Sequence, residues 1–328
     1  MNNSDFLLQT MYHGIDYRYR DNKEEFIMEI KELFGFEGKN VVITGAASGM
    51  GKAACELLIE LGANVYAADL NPIDLPVKKA FQANLGEKEE IEKLVDQLPN
   101  DIFAFYSCQG ISHFPGREYL VSKVNFLGQK YMTELLLPKI SDYGSITYIS
   151  SVGGFGWERN YQNCLDLINQ KTWDESMEWY KNHEELFIAK DNNALDYTFA
   201  KQCLLSYVNA KCMDKQFIGR YIRINAICPG DTTTGLTDDF NKSTGNGNAE
   251  AGAKAIEQIF LSSWNGFAAE PKDQGYPLVA LGSKLCSYIS GQKLYIDYGL
   301  TSSWTHMGLC GTSMGSAQEA SQKTTENK

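Results

Sequence analysis

Residues 41–51 read Val-Val-Ile-Thr-Gly-Ala-Ala-Ser-Gly-Met-Gly, an apolar run that passes directly into a turn with three glycines. The run predicts a short β-strand, and the apolar residues that follow at helical spacing predict an α-helix that ends at Gly62. Such glycines let the backbone come close to a pyrophosphate, and the N-terminus of the helix presents unpaired N–H groups to it. The stretch therefore predicts a phosphate-binding turn that opens a parallel α/β sheet.

The same alternation of strand and helix continues along the chain. We expect further strands at residues 64–69, 102–106, 145–150, 222–227 and 293–296, and helices at residues 87–98, 119–137, 197–213 and 271–285. Strands that alternate with helices form a parallel sheet covered on both faces. We therefore predict a single α/β domain over residues 38–300, a Rossmann-type doubly wound sheet of seven parallel strands with helices on both faces.

Four segments lie outside this alternation. Residues 1–37 carry apolar positions at helical spacing and are expected to form an N-terminal helical extension. Residues 153–195 predict a helical insertion, and residues 235–267, with a Gly-Asn-Gly-Asn run that can act as a hinge, predict a lid over a substrate pocket. Residues 301–328 form a C-terminal tail whose polar end we expect to be disordered.

The charge balance narrows the class of partner. Thirty Lys and Arg residues against forty-one Asp and Glu give a net charge of −11, so a field that attracts phosphate backbones is missing and nucleic acid is not an expected partner. No run approaches the roughly 18 consecutive apolar residues of a membrane span, and the N-terminus lacks the pattern of a signal peptide, so we expect a cytoplasmic protein without membrane contact. The eight cysteines form no C-x-x-C pair and the four histidines are dispersed, so no metal site is predicted.

An acidic residue follows the glycine turn at the spacing of a ribose ligand. Asp69 ends the second predicted strand, 24 positions after Gly45, where its carboxylate can accept hydrogen bonds from both hydroxyls of an adenosine ribose. A 2′-phosphate would meet a like charge there, and neither residues 46–48 nor Leu70 supplies a basic side chain. The alternative for Asp69 is a solvent-facing acid at a strand end. The expected cofactor is NAD, held at Gly45, Ser48, Gly49, Met50, Gly51 and Asp69.

A tyrosine and a lysine at helical spacing are candidates for acid–base chemistry. Tyr197 and Lys201 lie four positions apart at the start of a predicted helix and so share one face. A nearby ammonium favours phenolate, so Lys201 is expected to lower the pKa of Tyr197 toward neutral pH. A Y-x-x-x-K pair is common by chance, but Ser151 at a strand end and Asn125 within a predicted helix make this one more specific.

As a set, these motifs resemble the short-chain dehydrogenase/reductase family over about residues 36–300. They are T-G-x-x-x-G-x-G from residue 44, N-x-x-G from residue 125, S-S-V from residue 150, Y-x-x-x-K from residue 197 and I-C-P-G from residue 227. The resemblance implies that Tyr197 is a general acid/base and that Ser151 orients the reacting oxygen. It also implies that Lys201 holds the nicotinamide ribose and that Asn125 anchors a water of a proton relay.

The resemblance adds cofactor contacts at three further turns. Gly110 ends a Ser-Cys-Gln-Gly turn in place of the family's Asn-Asn-Ala-Gly, and Asn84 and Leu85 replace an adenine-facing Asp-Val. The amide oxygen of Asn84 can still accept a hydrogen bond from an adenine amine. After the I-C-P-G turn, the implied contacts are Pro229, Gly230, Thr232 beside the carboxamide and Thr234 beside the phosphates.

Within the family, the chain resembles the 3α-hydroxysteroid dehydrogenase/carbonyl reductase branch. Ser151 and Tyr197 lie 46 positions apart, a longer gap than is typical of the family, and only one helix is predicted between Asp69 and Phe103. The resemblance implies an NAD-dependent enzyme that interconverts a secondary alcohol and a ketone by hydride transfer. The substrate class it implies is a hydroxysteroid or bile acid.

The insertion contains candidates for substrate contact. Phe155 and Trp157 follow Ser151 closely and are expected to contact substrate. Residues 172–175, Thr-Trp-Asp-Glu, predict a capping box, and the apolar residues at 173, 177 and 180 share one face of the helix that follows. We expect that face to pack against the core, and a ligand wall is the alternative.

Two other functions stay open at this point. The same chemistry could act on a sugar, a polyol or an acyl-thioester ketone, although the acidic chain offers no basic patch for a phosphopantetheine arm. The chain could also be a non-catalytic NAD-binding scaffold, which the presence of all four catalytic side chains argues against. By resemblance we expect a homodimer or homotetramer, with the dimer favoured because the insertion obstructs one of the usual contacts.

Overall fold

Seven parallel strands form one sheet in the part of the chain that the computed structural model describes, residues 30–189 and 194–308 without the side chains of residues 262 and 263. The strands are β1 Asn40–Thr44, β2 Asn64–Asp69, β3 Lys79–Gln82, β4 Ile102–Ser107, β5 Ile140–Ile149, β6 Arg223–Pro229 and β7 Lys293–Ile296. Their order across the sheet is β3-β2-β1-β4-β5-β6-β7, and every neighbouring pair is parallel. The predicted doubly wound fold is confirmed.

One strand, β3, lies outside the ranges that the apolar runs predicted. Its four residues, Lys-Ala-Phe-Gln, are exposed or half-buried because β3 forms the edge of the sheet beside β2. An edge strand faces solvent along one side and needs no continuous apolar run. The lack of such a run explains why sequence patterning does not predict this strand.

Helices cover both faces of the sheet. In the described residues they are α1 Gly49–Glu60, α2 Lys88–Asp96, α3 Glu118–Ser122, α4 Gly128–Leu136, α5 Tyr161–Ile168, α6 Trp173–Asn182, α7 Leu195–Lys211, α8 Lys215–Ile218, α9 Thr237–Thr244, α10 Ala249–Ile256, α11 Pro271–Gly282 and α12 Leu300–His306. Val41 and Ile43 of β1 pack in the cluster shared with α1 and α11, whereas Val42 packs in the cluster shared with α2, α4 and α7. Because β1 is buried on both faces, its sequence is a continuous apolar run.

The insertion after β5 folds as two helices, α5 and α6, against the main core. The predicted capping box is confirmed: Thr172 Oγ1 accepts a hydrogen bond from the Glu175 backbone N–H at 3.1 Å, and Glu175 Oε2 accepts one from the Thr172 backbone N–H at 2.9 Å. Trp173 and Tyr180 are buried in the same cluster as α4 and α7. The apolar face of α6 is therefore packing, as expected, and not a ligand wall.

The two ends of the domain differ from the predicted boundaries. Residues 1–29 and 309–328 lie outside the described residues, so most of the predicted N-terminal extension and the end of the tail do too. Residues 30–34 are helical, and Phe36 is fully buried against Phe103 at 5.7 Å between ring centroids. Residues 301–306, assigned to the tail, lie in α12, where Leu300 and Trp304 are buried. The packed domain thus includes Phe36 and extends through α12.

Within the described ranges, the helices are too short or too polar to cross a lipid bilayer.

Candidate active site

The glycine turn between β1 and α1 brings backbone segments closer together than side chains allow. A Cβ on Gly45, whose φ is 66°, would lie 2.6 Å from the Cys108 carbonyl carbon. A Cβ on Gly51 would lie 2.1 Å from the carbonyl oxygen of Gly45. Gly49 has φ of 56°, and a Cβ on Gly49 would meet the side chain of Thr234 at 3.5 Å, an ordinary contact distance. The turn therefore packs tightly behind Gly45 and Gly51 and is open at Gly49.

Asp69 lies at the end of β2 beside this turn. Its Oδ2 accepts a hydrogen bond from the Ala47 backbone N–H at 3.0 Å, and its Oδ1 accepts one from the Asn71 backbone N–H at 2.8 Å. These contacts fix the carboxylate next to the turn. Asn71 Nδ2 also donates to Oδ1, at 3.4 Å, and an ionised carboxylate offers about four lone-pair positions, so Asp69 keeps capacity for one ribose hydroxyl without losing a contact.

The predicted adenine contacts follow β3. Asn84 Oδ1 accepts a hydrogen bond from the Gly86 backbone N–H at 3.0 Å, and the Asn84 N–H donates to Glu90 Oε2 at 2.6 Å. The Leu85 side chain is buried in the core, and its carbonyl oxygen would lie 2.0 Å from a Cβ on Gly128. At this corner the side chain that can reach a base is therefore that of Asn84.

A cavity of about 670 Å³ lies at the carboxyl ends of β4, β5 and β6. Ser151 follows β5, and Tyr197 and Lys201 lie one turn apart on α7; all three line the cavity. The predicted cofactor residues that share these walls are Met50, Gly110, Pro229, Gly230, Thr232 and Thr234. Parallel strands end at the same edge of a sheet, which is why residues so distant in sequence meet here.

The tyrosine and the lysine have perturbed pKa values, but not in the way the sequence predicted. Burial raises the pKa of Tyr197 to about 12, against the opposing effect of a hydrogen bond with the Ser151 side chain. The Lys201 ammonium lies 5.5 Å from the centre of the Tyr197 ring and donates to the Ile149 carbonyl at 3.0 Å, not to the phenol. Burial also lowers the pKa of Lys201 to about 8. The expected lowering of the Tyr197 pKa by Lys201 is wrong for the protein alone, because desolvation of the phenol is the larger effect.

Asn125 supports the cavity from a π-helical turn, Lys123–Leu127, that links α3 to α4. Its Oδ1 accepts from the Ile111 backbone N–H at 2.8 Å, and its Nδ2 donates to the Ile111 carbonyl at 2.9 Å. A Cβ on Gly110 would lie 3.5 Å from Asn125 Oδ1 and 3.7 Å from Lys201 Nζ. Gly110 therefore lies between Asn125 and Lys201, at ordinary van der Waals distance from both. Single π turns of this kind often mark functional sites.

Phe155 and Trp157 do not take the position expected of them. Neither is among the described residues that line the cavity. Phe155 packs edge-on against Tyr295 and Trp304, at 5.9 and 5.7 Å between ring centroids. Trp157 is 8% exposed and packs in the core against Tyr161. Proximity to Ser151 in sequence is misleading because both rings, on either side of a left-handed turn at Gly156, are engaged in packing contacts.

The predicted lid, residues 235–267, borders the cavity. It consists of α9, α10 and the π-helical continuation Glu257–Asn265. Apolar side chains from all three segments line the cavity, and the Phe240 ring contacts that of Tyr197 edge-on at 5.4 Å. The lid residues give the cavity an apolar wall opposite the sheet.

Three polar residues of the cavity region had no sequence signal. Gln109 and His113 line the cavity, and Asp196 precedes Tyr197 with its carboxylate fully buried. His113 Nδ1 lies 2.7 Å from Asp196 Oδ1, although the two residues are 83 positions apart. Only folding brings this pair together, so no local pattern could have revealed it.

The residues at the glycine turn and in the cavity fit a nicotinamide dinucleotide. The open turn at Gly49 lies opposite Thr234, Asp69 flanks the turn, and Lys201 lies at the far end, in the cavity. Among the described residues, no group of three His, Cys, Asp or Glu side chains could hold a metal ion.

Known proteins resemble the chain over most of its length. The family model described as short chain dehydrogenase matches residues 39–104, and the one described as Enoyl-(Acyl carrier protein) reductase matches residues 186–301. A coniferyl-alcohol dehydrogenase of Pseudomonas sp. strain HR199 is 28% identical over 81% of this chain and 98% of its own length. A 3beta-hydroxysteroid dehydrogenase 2 of Eggerthella lenta is 26% identical over 80% of this chain and 94% of its own.

A solved structure shares the fold. The 3-alpha-hydroxysteroid dehydrogenase from Pseudomonas sp. B-0831, complexed with NADH, superimposes with a TM-score of 0.64 at 20% identity, over 80% of this chain and 97% of that one. The comparisons point to the same kind of protein as the site does, with a glycine turn beside a cavity that contains Ser151, Tyr197 and Lys201. The chain belongs to the short-chain dehydrogenase/reductase family, whose members bind a nicotinamide cofactor and act as oxidoreductases on alcohol and ketone groups.

Proposed function

We propose that this protein is an NAD-dependent oxidoreductase that interconverts a secondary alcohol and a ketone on a hydroxysteroid or bile acid. The observation that carries the proposal is the meeting of Ser151, Tyr197 and Lys201 in one cavity with an apolar lid wall. These three side chains supply a hydroxyl, a phenol and an ammonium at the carboxyl edge of the sheet.

The proton chemistry follows from the state of Tyr197. With its pKa raised to about 12, the phenol holds its proton at neutral pH and can donate it to a carbonyl oxygen during ketone reduction. Ser151, hydrogen-bonded to the same phenol, holds the reacting oxygen within reach of that proton. Lys201 donates to the last carbonyl of β5, at Ile149, and Asn125 holds the loop after β4 at Ile111. A bound nicotinamide ring supplies or accepts the hydride.

The preference for NAD over NADP rests on Asp69. Its carboxylate lies against the glycine turn through the Ala47 N–H, so a 2′-phosphate bound there would meet a like charge. Asp69→Ala should narrow the ratio of kcat/KM for NAD to that for NADP by about tenfold. Asp74→Ala, which removes the same charge from an exposed position on the same connection, is the matched control and should leave the ratio unchanged. An unchanged ratio in Asp69→Ala would refute this account of cofactor choice.

The substrate class rests on the character of the cavity walls. Lys201 is the one Lys or Arg among the described residues that line the cavity, and Glu185 and Asp231 add acidic groups. Such walls favour an uncharged, largely apolar body and disfavour the phosphates of a phosphopantetheine arm. The volume of about 670 Å³, which the substrate would share with the nicotinamide end of the cofactor, lies within the range of small-molecule pockets. The relative from Eggerthella lenta, a 3beta-hydroxysteroid dehydrogenase 2, supports the same substrate class, a hydroxysteroid.

The proposal is tested with purified protein, NAD and a panel of hydroxysteroids and bile acids, by following NADH absorbance. Saturable turnover of at least one steroid is the expected result. Turnover of sugars, polyols or acyl thioesters in place of steroids would refute the substrate class. NADH binding without turnover of any alcohol or ketone in the panel would favour a non-catalytic scaffold.

A second candidate substrate is an aromatic alcohol. The relative that carries this suggestion is the coniferyl-alcohol dehydrogenase, which aligns over 98% of its own length. The apolar lid wall around Phe240 would suit an aromatic ring as well as a steroid. Coniferyl alcohol therefore belongs in the same panel.

We also propose a cytoplasmic homodimer. The insertion packs over α4: Lys130 Nζ donates to the Gln170 carbonyl at 2.8 Å, and the Trp173 ring contacts Tyr131 edge-on at 5.5 Å. The insertion thereby covers one face of α4, which leaves fewer surfaces for a second copy. Light scattering at the mass of two chains would support the dimer, and the mass of four chains would refute it.

A further inference from the structure

A buried histidine and aspartate lie beside the catalytic tyrosine. His113 is 3% exposed and Asp196 is fully buried, with 2.7 Å between His113 Nδ1 and Asp196 Oδ1. The same Oδ1 accepts the backbone N–H of Tyr197 at 2.7 Å. Asp196 therefore joins the imidazole ring to the residue that carries the reacting phenol.

The ring is fixed from two sides. His113 follows β4 by a short loop, and Asn125 holds that loop at Ile111 by accepting one hydrogen bond from the Ile111 N–H and donating one to its carbonyl. Asp196 lies in the first turn of α7, where a carboxylate is stabilised by the positive end of the helix dipole. Both anchors belong to segments that carry site residues, so the ring keeps one position relative to Tyr197.

The hydrogen bond decides which ring atom is left for a ligand. An ionised carboxylate only accepts, so Nδ1 carries the proton that it donates to Asp196. Nε2 is the remaining polar atom of the ring, and it has no partner within residues 30–189 and 194–308. His113 lines the same cavity as Ser151 and Tyr197. An unpartnered, buried nitrogen on the wall of a substrate cavity calls for a partner on the ligand.

Stability does not explain the pair. A buried pair of polar side chains seldom stabilises a fold more than apolar residues of similar size would, because both groups lose their contact with water. Asp196 Oδ2 also has no partner in the described part of the chain, so the carboxylate is only partly compensated. Its two hydrogen bonds serve to orient His113 and to hold the backbone of Tyr197.

We propose that His113 Nε2 binds a second hydroxyl group of the substrate, away from the carbon that is oxidised or reduced, with Asp196 as its positioning residue. A hydroxyl can donate to the imidazole lone pair or accept from an imidazolium N–H, so it fits the ring in either state. The inference rests on the proposed function and narrows it to substrates with two oxygen functions on an apolar body.

The test uses pairs of alcohols that share the reacting hydroxyl and differ in the second one. One pair is a dihydroxy bile acid and its monohydroxy counterpart, and the other is coniferyl alcohol and the same alcohol with its phenol methylated. The wild-type protein should show kcat/KM about tenfold higher for the member with the free second hydroxyl, mainly through KM. His113→Asn, whose amide can still reach Asp196 but does not extend to the Nε2 position, should remove this preference: kcat/KM should fall about tenfold further for the member with the free second hydroxyl than for the other.

Ser112→Ala provides the matched control, because Ser112 is a buried neighbour that is not among the described cavity-lining residues. It should keep the wild-type preference. NADH binding by fluorescence shows whether His113→Asn is folded; if it is not, His113→Leu, which fills the space of the ring without a polar atom, takes its place with the same expectation of a lost preference.

Equal turnover of both members by the wild-type protein would overturn the inference, and so would an equal loss of kcat/KM for both members in His113→Asn. Turnover of the aromatic pair alone would refute the steroid class but not the role of His113. The absence of NAD-linked turnover for every pair would refute the proposed function itself.

Discussion

The Lys201 ammonium should penalise folding in a way that depends on pH. Lys201 is 3% exposed, and burial lowers its pKa from 10.5 to about 8. Because the unfolded chain holds this proton more tightly than the folded protein does, folding is penalised while the unfolded lysine is charged. The penalty is complete below about pH 8 and disappears as the pH rises through about 10.5.

The magnitude follows from these two pKa values. A difference of about 2.5 pH units corresponds to about 3 kcal/mol, at about 1.36 kcal/mol per unit. Between about pH 7.5 and about pH 9.5 the penalty should fall by about 2 kcal/mol. Lys201→Met removes the titrating group and should remove this term.

Urea unfolding of wild-type protein and Lys201→Met at both pH values measures the effect. Buried thiols and phenols such as Cys55, whose pKa values are raised by burial, lower the free energy of unfolding at high pH in both proteins. Taking the difference between the two proteins removes that contribution. We expect the wild-type free energy of unfolding to rise by about 2 kcal/mol relative to the variant. Lys254→Met, at an exposed lysine, should show no such rise. If the difference in free energy of unfolding between wild type and Lys201→Met were the same at both pH values, the claim that burial lowers the pKa of Lys201 would be refuted.

Two further substitutions test the turn and the insertion. Gly51→Ala should lower the free energy of unfolding by about 2 kcal/mol or more and weaken NADH binding, because its Cβ would lie 2.1 Å from the Gly45 carbonyl oxygen. Gly235→Ala is the control, because the space around Gly235 is open. Equal stability of the two variants in urea unfolding would contradict the close approach at Gly51. Thr172→Ala removes the hydroxyl of the capping box and should cost about 1 kcal/mol in the same assay, whereas wild-type stability would show that the cap does not hold α6.

The sequence predicted the elements that are buried on both faces. β1 and its glycine turn carry an apolar run and a backbone constraint in consecutive residues, so local pattern was enough. β3 was missed because an edge strand of mixed polarity carries no such run. The pairing of residues within one helix, such as Tyr197 and Lys201, was equally accessible because four positions make one helical turn.

Contacts between distant segments were not accessible in this way. His113 and Asp196 meet only because the loop after β4 and the start of α7 reach the same cavity. Phe155 was placed at the substrate by its closeness to Ser151 in sequence, yet its ring packs against Tyr295 and Trp304. The pKa of Tyr197 likewise depends on burial, which spacing along the chain does not reveal.

The proton held by Tyr197 is the central claim, and Tyr197→Phe tests it most directly. The variant keeps a ring that can still pack against Phe240 and removes only the phenolic oxygen. Steady-state turnover of a panel substrate, measured beside NADH affinity by fluorescence, should show kcat reduced by about a hundredfold or more with cofactor binding intact. A variant that retains wild-type kcat would contradict the account.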